Sequence, residues 1–177
     1  MEALSEYLNY FTYAPLPIFL FALVRCWKNI GARWLLILLV TIECIDLYSY
    51  QYTIKWTTHY YGWVMFMNSL FLLPSLYRNS LATYLHNITN LKFFERAKTL
   101  EFSQQEAALI ILFLISMLAN LISYSEVFLY KSFVIDDMYF KSYILGKLQL
   151  VLHIFSCLAA LSLSTNNKGY NYETAES

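Results

Sequence analysis

Apolar residues fall into five blocks separated by polar connections. The blocks run from about Leu8 to Trp27, Trp34 to Ile54, Tyr60 to Tyr77, Glu106 to Val127 and Ser142 to Leu163. A helix needs about 20 predominantly apolar residues to cross the hydrocarbon core of a bilayer. The pattern therefore predicts an all-α integral membrane protein, a single membrane domain over residues 1–177 with four or five transmembrane helices. The number turns on the first block. It carries Pro15 and Pro17, and its uninterrupted apolar part, Ala14 to Val24, is eleven residues long. That length fits a re-entrant or interfacial helix as well as a span.

Two boundaries are marked by chemistry. Ser103 and Glu106 have the S-x-x-E spacing of a capping box just before the fourth block. Pro74, near the end of the third, is a kink site. The connection 79–102 is too long for a simple turn. Leu81, Tyr84, Leu85, Ile88 and Leu91 form an apolar stripe at helical spacing within it. Lys92, Phe93, Phe94, Arg96 and Lys98 follow as basic and aromatic residues interleaved. This amphipathic segment can continue the third span, lie on the inner leaflet, or dock another chain. Those five residues are the expected docking set for lipid or a soluble cytoplasmic partner.

Composition agrees with a lipid-facing surface. Charged residues make up 14% and hydrophobic ones 59%, against about 25% and 45–50% in soluble domains. The charges that remain assign orientation. Arg25, Lys28 and Arg33 lie in the first connection, Arg78, Lys92, Arg96 and Lys98 in the third, and Lys168 in the tail 164–177. Lys55, Lys131 and Lys141 stand on the opposite side. The excess places the first and third connections and the C-terminal tail in the cytoplasm, and makes the match of Asn87-Ile88-Thr89 to a glycosylation sequon accidental. Seven Tyr and Trp residues between Tyr48 and Trp63 mark the outer headgroup level.

The residues with most to say about function are the ionisable ones inside spans, where charge is costly. In the second block the aliphatic residues contribute roughly −4 kcal/mol, and two charged acids at its centre would cost about 5–7 kcal/mol. Those acids are Glu43 and Asp46, which share a face at i, i+3. This helix needs a partner. Lys147 and His153 in the fifth block lie at matching depths, about 24 and 15 Å from the inner end against about 20 Å for Asp46 and 15 Å for Glu43. An Asp46–Lys147 or Glu43–His153 pair is expected. It would serve either as a latch fixing helix register or as a proton or cation path. Asn68 and Asn120 are candidates for polar contacts between helices.

Several classes are disfavoured. A formal net charge of zero leaves direct nucleic-acid contact without an electrostatic footprint. Cys26, Cys44 and Cys157 have no metal or disulfide spacing. There is no H-E-x-x-H, G-x-S-x-G or P-loop pattern, and His59, His86 and His153 lie in different regions. No catalysis, metal or cofactor is expected. No cleavable signal is evident in the acidic N-terminal stretch. The abundance of Lys, Asn, Ile, Tyr and Phe suggests an AT-rich bacterial or phage genome. The expectation is a non-enzymatic bacterial inner-membrane subunit that works by homo-oligomerising or by docking a cytoplasmic protein. Accessory subunits of phage-defence or secretion systems are of this kind. A small ion or proton channel lined by Glu43, Asp46, Lys147 and His153 is the alternative.

Overall fold

The computed structural model describes residues 14–165, which form helices and connections with no strand among them. Residues 8–13 of the first block and the tail beyond Thr165 lie outside the described residues.

Helix α1 (Pro15–Arg25) opens on proline, whose missing N–H would have no intrahelical partner in the first turn anyway. Helix α2 (Ile30–Thr53) begins four residues before the apolar block because the Asn29 side chain accepts from Ala32 N at 3.2 Å. Helix α3 (His59–Leu76) continues past Pro74 and breaks at Tyr77, where α4 (Arg78–Thr89) starts. Helix α4 stops at Asn90, which takes the left-handed conformation that Asn tolerates. A short α5 (Lys92–Ala97) follows.

The capping box is fully formed at the start of α6 (Gln104–Lys131), which runs four residues beyond the expected end. It finishes in a Schellman turn, with Val134 N bonded to Leu129 O and Phe133 N to Tyr130 O. Phe133, at φ 56°, occupies the position glycine usually fills. A π-helical segment, Phe140–Leu145, leads into α7 (Gly146–Thr165). The Glu126 carboxylate near the end of α6 caps this segment, accepting from Phe140 N and Lys141 N at 2.8 Å each.

Five helices close a ring. Helix α1 packs on α2 and on α7, α2 on α3, α3 most extensively on α6, and α6 on α7. One end carries the starts of α2 and α6 and the end of α7; it corresponds to the expected cytoplasmic side and is called the inner end. The main apolar core lies in the inner half, where Phe19, Leu35, Leu36, Leu39, Phe71 and Leu109 are buried. A smaller cluster of Tyr61, Ala119, Val127 and Leu145 lies toward the outer end. Helices α4 and α5 form a hairpin attached to the inner end.

Two helices among the described residues are long and apolar enough to cross a membrane: Gln104–Lys131, and the continuous Phe140–Ser164. Only 22% of each apolar stretch is buried, which is unlike the core helix of a soluble protein. Helix α1 is apolar but has 11 residues, and α2 is interrupted by its two acids.

Candidate functional site: a polar cavity and a buried ion pair

The ring encloses a cavity of about 130 Å³ that receives side chains from all five of its helices. Its polar lining includes Glu43 and Asp46 from α2, Asn68 from α3, Ser116 from α6, and Gln149 and His153 from α7. Phe19 of α1 contributes to the apolar part. The i, i+3 spacing places both acids on one face, and that face turns inward. Glu43 and Asp46 are half-buried, while His153 is exposed at the cavity edge.

Neither expected charge pair closes. Among the described residues, the one side-chain ion pair within 4.0 Å is Arg78–Glu106. Lys147 is exposed and does not line the cavity. Matching depth along two helices says nothing about what stands between them. Here α1 packs against both α2 and α7, and the cavity separates them. The half-buried Trp63 stands beside Asp46, with its indole N–H interacting with that carboxyl group.

Neutral polar groups do pair. Asn68 Nδ2 donates to Ser116 Oγ at 3.1 Å, joining α3 to α6. Gln149 Nε2 donates to Asn120 Oδ1 at 3.2 Å, joining α7 to α6, and Asn120 Nδ2 donates to Ser116 O at 2.8 Å. Asn120 is fully buried. These bonds form a continuous polar seam along α6 at the cavity wall.

At the inner end the arrangement reverses. Arg78 is 1% exposed, and its Nη1 lies 3.5 Å from Glu106 Oε1. Its Nη2 donates to Leu100 O at 2.6 Å, and the guanidinium sits over Phe102 at 4.4 Å from the ring centroid. Glu106 uses its other oxygen in the capping box, accepting from Ser103 N at 2.8 Å. Gly31 of α2 closes the third side. A Cβ there would overlap Glu106 Oε1 and come within 3.5 Å of Arg78 Nη1. One carboxylate thus joins the starts of α2, α4 and α6. The sequence pattern assigned Arg78 to the cytoplasmic charge count and Glu106 to a helix cap, and neither signal points to their meeting.

The expected docking set divides. Phe93 and Phe94 are half-buried and fold back on Trp34, with ring centroids at 6.1 Å in both cases. Arg33 lies over Phe93 at 4.2 Å. These two aromatics anchor the hairpin to α2 instead of offering an exposed docking pair. Lys92 and Arg96 are exposed and Lys98 is half-buried.

Among the described residues, no group of three or more His, Cys, Asp or Glu side chains is placed to hold a metal ion. No protein-family model, curated protein or solved structure matches this chain.

Proposed function

We propose that the chain is a polytopic integral protein of a bacterial inner membrane, with all five ring helices in the bilayer. On this reading it acts without catalysis, as a subunit that assembles with itself or with a cytoplasmic protein; the accessory subunits of phage-defence and secretion systems are the kind of component meant. The supporting observation is the outward apolar surface of every ring helix. Phe21 and Val24 on α1, Ile37 and Ile45 on α2, and Phe66 and Leu73 on α3 are exposed, as are Ile111 to Ile122 along α6 and Val151 to Leu158 along α7 at helical intervals. A soluble monomer rarely exposes contiguous apolar patches beyond a few hundred Å². Helix α2 turns Glu43 and Asp46, and α3 turns Asn68, into the ring, the arrangement that intramembrane charge requires.

Two measurements test this. The protein should stay with membranes through alkaline carbonate extraction, and release into the supernatant would refute the reading. Reporter fusions after Lys28, Thr57, Asn90 and Ile135 should alternate, with Lys28 and Asn90 cytoplasmic. Fusions that fail to alternate would remove the spans of α2, α3 and α6.

A second reading is favoured by one specific observation. Glu43, Asp46 and His153 line the same cavity, and among the described residues neither acid has a cationic side chain within ion-pair distance. A proton or small-cation site then replaces the latch, without Lys147. Lost ion flux in vesicles for E43Q and D46N, with assembly intact, supports it. Unchanged flux ends it.

A further inference from the structure

The helical hairpin at the inner end carries an apolar edge that the bundle does not use. On α4, Ala82 is buried and Leu81 and Leu85 pack against the core, yet Tyr84 and Ile88 are 63% and 62% exposed. Tyr77 and Leu91, just outside the two ends of α4, are exposed as well. At 100° per residue, positions 84 and 88 lie about 40° apart on α4, beside its buried face. The stripe legible in the sequence is thus shared between the bundle and something else.

The orientation of α4 limits what that is. Its first residue, Arg78, meets Gly31 and Glu106, while Phe93, just beyond its end, rests on Arg33 and Trp34. Gly31 and Trp34 are about one turn apart on α2, roughly 5 Å in depth. Twelve residues of helix extend about 18 Å. Leu81, Ala82 and Leu85 also pack against the bundle core along the length of α4, so the helix runs across the inner end of the bundle and not away from it. The end of α3, from which α4 starts, carries two further exposed apolar side chains, Leu73 and Leu76. Lys92 and Arg96, both exposed, follow that edge.

We infer that α4 is an interfacial helix: Tyr84, Ile88 and Leu91 insert at the headgroup–acyl boundary of the inner leaflet, and Lys92 and Arg96 select anionic headgroups. The inference rests on the membrane reading above and adds a lipid-binding surface to it. An amphipathic helix with basic flanks lies in the interface plane in this way, and each basic side chain near an anionic surface contributes about 1 kcal/mol.

The test uses the full chain in vesicles of phosphatidylcholine and phosphatidylglycerol, with the photoreactive residue benzoylphenylalanine placed singly at positions 84, 88 and 91, at 83 and 87, and at 122 as a control on α6. Lipid adducts are expected at 84, 88, 91 and 122 and not at 83 or 87. The ratio of phosphatidylglycerol to phosphatidylcholine in the adducts at 88 should exceed the bulk ratio about fivefold, and the double variant K92Q/R96Q should remove that enrichment. Lipid adducts at 122 but none at 88, or adducts at 88 to a second copy of the chain, overturn the interfacial assignment alone. Adducts without phosphatidylglycerol enrichment overturn the choice of anionic lipid. Absence of lipid at 122 overturns the membrane reading and this inference with it.

Discussion

The inner end and the central cavity use similar materials in opposite ways. At the inner end, Arg78 and Glu106 are buried together, with Leu100 O, Phe102, Ser103 and Gly31 pressed around them. In the cavity, Glu43, Asp46 and His153 share a lining and form no ion pair among the described residues. A buried pair that loses one member leaves an uncompensated charge, so the inner end tolerates little change. Acids that face an open cavity leave nothing stranded when neutralised. The difference separates a charge that fixes architecture from charges that are free to exchange a partner.

That contrast can be broken most directly at Glu106. Glu106→Gln keeps the cap acceptor but strands the Arg78 cation, and should cost about 3–5 kcal/mol of stability, read as a lower unfolding midpoint in detergent. The double replacement R78M/E106L should cost less than the single variant. Equal or greater loss in the double would show that the ion pair is not what holds this junction. Next in size, Gly31→Ala should cost roughly 1–3 kcal/mol by overpacking against Glu106. A wild-type midpoint would mean that α2 can move away at no cost.

The neutral seam should lie between the two extremes. Asn68→Leu removes one bond between helices and should cost about 0.6 kcal/mol, with about 1.7 kcal/mol as the upper range for such contacts. Thermal unfolding of the reconstituted protein distinguishes that from the inner-end variants. Smallest of all, the double variant E43Q/D46N should keep its unfolding midpoint or raise it slightly. A fall comparable to that of Glu106→Gln would make the cavity acids structural after all, and would restore the latch.

These expectations also show which features a sequence discloses. The start of α6 was legible because the capping box is local: Ser103 and Glu106 bond within one turn. The inward face of α2 was legible because Glu43 and Asp46 share it by periodicity alone. The start of α2 was not, since Asn29, Gly31 and Ala32 belong to no apolar run and act through a cap and a close approach. Lys147 was misplaced because depth along a helix carries no information about direction around it. Arg78 and Glu106 meet only after α3 and α6 pack, so no spacing rule connects them. Phe93 and Phe94 were read as a surface because their target, Trp34, lies far away in sequence.

One consequence concerns how such a chain is made. The α6–π–α7 unit contains the two described helices that are long and apolar enough to cross a membrane, and the Glu126 carboxylate ties its hairpin shut by accepting from Phe140 N and Lys141 N. It also comes last among the described helices. During synthesis α2 and α3 leave the ribosome before the wall they pack against exists, with Glu43 and Asp46 still unsheltered. On the proposed membrane reading, the ring closes from its C-terminal side, and the earlier helices reach the bilayer before their packing partners do.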